Sequence, residues 1–198
     1  MRITKFELLP ESDLLIRLRT VRLRGFDHAQ VYRASHIQVI RTIPASCKPA
    51  QRYVLKGGVN TILRLAYEFA FKGVDIFSLR GVLLFWLDGQ QEPISLLPPI
   101  IEESVDKDGS LILLINDGIH RIYAANRLGV NINVVTISNV PHEYPYYAYP
   151  LPGGWSAVEE INALTPDYER KEYRNPADYK ALFRDFNEVF PGVQKKRI

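Results

Sequence analysis

The sequence predicts a mixed α/β (α+β) fold, on three observations. Residues 111–115 and 82–87 are short apolar runs closed by turn residues, the length of strands rather than of buried helices. Apolar residues at 59, 62, 63, 66 and 70 recur with a helical period. The stretch 111–137, LILLINDGIHRIYAANRLGVNINVVTI, reads as strand, tight turn, helix and strand. The expected architecture is a compact mixed sheet around that unit, with N-terminal strands before it and a C-terminal helical segment after it.

Residues 14–24, LLIRLRTVRLR, alternate apolar and basic positions, which predicts two short strands or one strand with a bulge at Thr20-Val21. Arg17, Arg19, Arg22 and Arg24 have no acidic residue among them. Two readings stay open for them: a solvated, edge-protecting face or a stripe facing a polyanion. Residues 36–43 predict a further strand and 44–49 a loop. The helical pattern from 60 to 72 ends at Gly73, with Arg64, Glu68 and Lys72 on its polar stripe. Its aromatics Tyr67, Phe69 and Phe71 are assigned to the core. A strand over 81–87 turns at Asp88-Gly89. An extended segment, 94–105, then leads through the Asp106-Lys107-Asp108-Gly109 hairpin loop into the 111–115 strand. That hairpin sets Glu102 and Glu103 beside the turn at 116–118, where alternation lets one of them face it as a base or metal ligand. Solvated carboxylates are the plainer reading of both.

At that turn Gly118 adopts positive φ, or admits a ligand to the backbone, without steric cost. Asp117 is placed to cap the helix expected over 119–128, which Gly129 ends. The first amides of a helix have no internal partner and carry partial positive charge. Gly118, Ile119 and His120 present such amides, Arg121 adds a bidentate fork, and His120 adds a donor that titrates near neutrality. The turn is therefore a candidate anion site.

The composition changes at Pro141. In PHEYPYYAYPLPGGW (141–155), prolines at 141, 145, 150 and 152 exclude a continuous helix or central strand. The segment is an ordered loop over the body or a linker, and its aromatics favour the former. Tyr146, Tyr147, Tyr149 and Trp155 are also candidate stacking faces for a nucleobase. Ser156-x-x-Glu159 has the form of a capping box and predicts a short helix to about 164. Asn175 with Pro176 predicts a helix over 176–190, apolar at 179, 182, 183, 186 and 190. A basic tail, Lys195-Lys196-Arg197, follows.

A hydrophobic share of 46% and a net charge of +3 describe an ordinary globular protein, not a dedicated nucleic-acid tail. The single cysteine, Cys47, excludes an internal disulfide and a cysteine-based zinc cluster. The longest apolar run, 82–87, falls far short of the roughly 20 residues of a membrane helix, and a cytoplasmic location is expected.

Asn116-Asp117-Gly118-Ile119-His120-Arg121, with Ala124-Ala125 and Leu128-Gly129, resembles the G-x-H-R motif of the ParB/sulfiredoxin-like superfamily. Pro98-Pro99-Ile100-Ile101 resembles that family's "Pro-Ile" strand, and 134–137 its downstream strand. The resemblance covers residues 90–140 and reaches back to about 50. It implies a helix N-terminus set against nucleotide phosphates, as in CTP-binding partition proteins, sulfiredoxins and a free-serine kinase. Ile119 stands where sulfiredoxins carry their reactive cysteine, so that chemistry does not carry over. The chain then divides into an N-terminal β-rich extension (1–49), a ParB/sulfiredoxin-like core (50–140) and a Pro/Tyr-rich loop with C-terminal helices packed on it (141–198).

The leading functional expectation is a nucleotide-binding protein that hydrolyses an NTP or transfers a phosphoryl group. Asn116, Gly118, Ile119, His120 and Arg121 would hold phosphates, with Asp117, His120, Glu102 and Glu103 as catalytic candidates. Asp117 would be a ligand for Mg2+ arriving with ATP or CTP. The alternatives are a DNA- or RNA-binding module without turnover, in a partition or regulatory role, and an interaction scaffold in which the motif is only a helix cap.

Overall fold

A computed structural model describes residues 2–192. The basic tail at 195–197 lies outside the described residues. Among the described residues nine strands form three sheets, accompanied by three α-helices. The first strand, β1 (Ile3–Leu9), pairs antiparallel with β4 (Val82–Leu87), which pairs in turn with β5 (Ile94–Leu96). A four-stranded mixed sheet has the order β2 (His36–Thr42), β8 (Ile132–Ser138), β6 (Ile100–Val105), β7 (Leu111–Asp117). Only its β6–β8 pair is parallel. The third sheet is a parallel pair of short strands, β3 (Tyr53–Leu55) and β9 (Glu159–Ile161).

The 111–137 unit has the expected order. The strand β7 runs on through Asn116 and Asp117, Gly118 turns at φ +84°, and α3 (Ile119–Leu128) follows. Gly129 closes α3 in the left-handed region, and β8 returns between β2 and β6. The longest helix, α2 (Lys56–Ala70), packs against α3 and buries Val59, Leu65 and Phe69. Tyr67 and Phe71 do not join the core: they are largely exposed and meet each other edge to face. They lie two positions either side of Phe69, which a helix turns away from the face Phe69 occupies.

Three other expectations are corrected. Residues 14–24 do not begin as strand: α1 (Glu11–Arg19) follows Pro10 and buries Leu14 and Leu18, one helical turn apart. Glu11 and Asp13 in its first turn and Arg17 and Arg19 in its last suit the helix dipole. Only beyond Thr20 does the chain extend, with Val21 and Leu23 buried. The capping box at Ser156 makes a 3-10 turn (Gly154–Ala157), and Glu159 enters β9 instead of a helix. The predicted 176–190 helix is two 3-10 turns, Tyr179–Leu182 and Phe186–Glu188.

Two large apolar clusters fill the interior. One lies around α2 and α3, with Phe69, Phe85, Ile122 and Val134. The other joins Leu14 and Leu18 to Tyr32, Ile100, Val135, Phe186 and Phe190. The 141–155 loop lies over the body, with Tyr146 and Ala148 fully buried. No helix among the described residues is long and apolar enough to cross a membrane.

Candidate functional site

The β7–α3 turn opens onto a cavity of about 490 Å3, within the range of small-molecule sites. Asn116, Asp117, Gly118, Ile119, His120 and Arg121 all line it. Gly118 is the N-cap residue of α3, and no side chain caps the helix there. The expected Asp117 cap is therefore replaced by an ion pair: Arg121 Nη2 donates to Asp117 Oδ2 at 3.2 Å, one turn along the helix. A Cβ on Gly118 would stand 2.8 Å from Arg121 Nη2 and from Pro99 Cβ, so the glycine admits the guanidinium as well as the positive φ.

Arg121 is 7% exposed, and burial lowers its pKa against the opposing pull of Asp117. Its Nη1 is buried without a hydrogen-bond partner, and so is Asn116 Oδ1. Two orphaned polar atoms on residues lining one cavity, a donor and an acceptor, are an unusual cost in a folded protein.

His120 is held from both sides. Its Nε2 accepts from the Leu55 amide at 2.9 Å, which places the neutral ring's proton on Nδ1. A Cβ on Gly58 would stand 2.7 Å from the ring, so α2 packs directly on the imidazole. Burial holds the His120 pKa below 6.5, outweighing the Asp117 charge. In acid the unfolded chain takes up this proton first. The stability His120 contributes is thus complete above pH 6.5 and is lost as pH falls to the depressed folded value. Denaturant titrations at pH 7.5, 6 and 5 should show the wild type losing stability that His120→Gln does not lose. Parallel losses in both proteins would remove this role.

Glu102 lies away from the cavity, fully buried with Arg184. Its Oε2 accepts from Tyr32 Oη, from Asn116 Nδ2 at 2.6 Å and from Arg184 Nε at 3.2 Å. Oε1 sits 2.7 Å from Arg184 Nη2. That contact is coulombic. Burial lowers the Arg184 pKa, but Glu102 and Tyr32 outweigh it and hold the guanidinium above its ordinary range. Glu103, on the other face of β6, accepts from the Asn139 amide at 3.0 Å. The structure thus brings Asp117 and His120 to the cavity and keeps Glu102 and Glu103 off it.

Of the four stacking candidates, only Tyr147 lines this cavity. Tyr146 is fully buried beneath it, Tyr149 stacks under the Arg174 guanidinium, and Trp155 packs near Tyr123. The aromatic wall comes instead from Tyr53, Tyr173, Tyr179 and Phe183, with the cations Arg170 and Lys171 beside it. The sequence pattern marks Tyr179 and Phe183 only as apolar positions of a helix and does not mark Tyr53, Arg170, Lys171 or Tyr173. For Arg170, Lys171 and Tyr173 the one signal is the interleaving of aromatic and charged positions in Tyr168-Glu-Arg-Lys-Glu-Tyr173. The arginines at 17–24 do not form a free stripe. Arg17 and Arg19 donate to backbone carbonyls, and Arg24 pairs with Asp185.

A mixed α/β protein with a cationic, aromatic-walled cavity at a strand–glycine–helix turn is the class these features define. Its sequence matches the ParB CE domain over residues 13–159, and the chain belongs to that family, within the ParB/sulfiredoxin-like superfamily. No curated protein and no solved structure matches it significantly.

Proposed function

We propose that the chain binds a nucleotide with its phosphates at the Gly118–Arg121 turn, and hydrolyses it or transfers its phosphoryl group. The observation that carries this is the buried, unpartnered donor Arg121 Nη1 on a cavity that also holds the start of α3. A phosphate accepts from a guanidinium and from the helix's first amides together. The phenol rings of Tyr53, Tyr147, Tyr173 and Tyr179 offer a base apolar faces.

Phosphoryl transfer depends mainly on positioning and on neutralising charge. Arg121 would fix the phosphates and offset their charge. His120, neutral and locked by Leu55, would orient groups through Nδ1–H. Among the described residues no group of three or more His, Cys, Asp and Glu stands together to hold a metal. Mg2+ in nucleotide sites needs only one or two carboxylates besides the phosphates, and among the described residues Asp117 is the one carboxylate lining this cavity. With Mg2+ bound there, the ion would draw charge off the reacting phosphate.

Isothermal titration with ATP, CTP and GTP, with and without Mg2+, tests the reading. Saturable binding of at least one nucleotide is expected, weakened when the metal is chelated. No binding of any of them would overturn the proposal, and equal affinity in chelator would remove the metal from Asp117.

A further inference from the structure

The family match ends at residue 159, yet a large part of the cavity wall comes from beyond it: Arg170, Lys171, Tyr173, Tyr179 and Phe183. Lys171 is the notable member. It is 9% exposed, a burial that lysines rarely reach without a paired charge. Its Nζ donates to Tyr146 Oη at 2.5 Å and to Tyr147 Oη at 2.9 Å, and it lies over both rings. Among the described residues no carboxylate pairs with it. Phenol hydroxyls satisfy two of its three protons but supply no counter-charge.

The charge balance of the cavity points the same way. Its ionised lining side chains are Asp117 against Arg121, Arg170 and Lys171. Among the described lining residues Asp117 is the one carboxylate, and Arg121 pairs with it. A nucleoside monophosphate held at the turn alone would leave Lys171 as it stands, buried and uncompensated.

We propose that Lys171 is the second anion-holding group of this cavity, and that the ligand is a nucleoside triphosphate whose phosphate chain joins the Gly118–Arg121 turn to Lys171. The inference rests on the nucleotide reading above and deepens it. Specificity for phosphate number then lies in the segment that follows the family domain, while the domain itself supplies the turn. Arg170 lies next to Lys171 in the chain and lines the same cavity. The phenols of Tyr146 and Tyr147 fix the ammonium in place, and the aliphatic stem packs among rings.

The test is calorimetric titration of the full chain with AMP, ADP and ATP and with CMP, CDP and CTP. Wild type should prefer the triphosphate of its base over the monophosphate by roughly 10- to 100-fold, the range of one charged hydrogen-bonding group. Lys171→Met should erase that preference while monophosphate affinity stays within about threefold. Lys171→Arg, which keeps the charge, should retain most of it. A folded Lys171→Met protein with the wild-type preference would overturn the inference and leave the nucleotide reading intact. Wild type that binds no nucleotide would overturn both. A readout in the unmutated protein covers a variant that fails to fold. ATP or CTP, but not the matching monophosphate, should shield Lys171 from acetylation as followed by mass spectrometry, and equal shielding by both would refute the proposal.

Discussion

Arg184→Ala is expected to lower the unfolding free energy by about 3–5 kcal/mol, the cost of leaving one partner of a buried ion pair alone. That is a large share of the roughly 5–15 kcal/mol that holds a domain folded. In this variant Glu102 would keep Tyr32 and Asn116 as hydrogen-bond donors but lose its only opposite charge among the described residues. The loss would also free the Tyr144 and Pro145 carbonyls that Arg184 bonds at 2.7 and 3.2 Å. Combining Arg184→Met with Glu102→Gln removes both charges and should recover a good part of the loss. Denaturant unfolding of the two variants separates the cases. A single variant within 1 kcal/mol of wild type would show that the ion pair contributes little to the fold.

The second large effect falls on binding. Arg121→Ala should weaken nucleotide affinity by roughly 30- to 150-fold, equivalent to about 2–3 kcal/mol for a lost charge-assisted fork. Arg121→Lys should recover part of that, because a point charge keeps the attraction but not the bidentate geometry. The Asp117 pair raises a competing account, in which the guanidinium serves only to fasten the turn. On that account the alanine variant melts early and binds as wild type does. Thermal melts and titrations on the same two variants decide between them.

The 111–137 unit was legible because every signal that builds it is local. A five-residue apolar run, a glycine for the turn, a ten-residue helix and a closing glycine lie next to one another in the chain. The motif's five phosphate-site candidates, 116 and 118–121, accordingly share one cavity. Misreadings came where local patterns were outvoted from afar. The alternation in 14–24 suggested strands, but burial follows Leu14 and Leu18, a helical spacing that the interposed arginines obscured. The 176–190 pattern has the right apolar residues, since Phe183, Phe186 and Phe190 are all buried. Arg184 is not among those positions, yet its side chain is fully buried and reaches a carboxylate 82 positions away. The wall formed by Lys171 and Tyr173 was invisible for the same reason. Nothing near those residues in the chain announces the turn they face.

The Glu102–Arg184 pair also sets an order of events during synthesis. The strands β6 and β7 are complete once residue 117 has been made, and they would ordinarily close into a hairpin at once. Their inner face carries a carboxylate whose counter-ion is added 82 residues later. At the usual 5–20 residues per second that is a delay of roughly 4–16 s. Throughout it Glu102 lacks the guanidinium that offsets its burial. The nascent sheet is therefore held open until the C-terminal segment arrives, and ribosomes stalled between residues 120 and 180 should display a chain more easily cut by protease than one stalled after both have emerged.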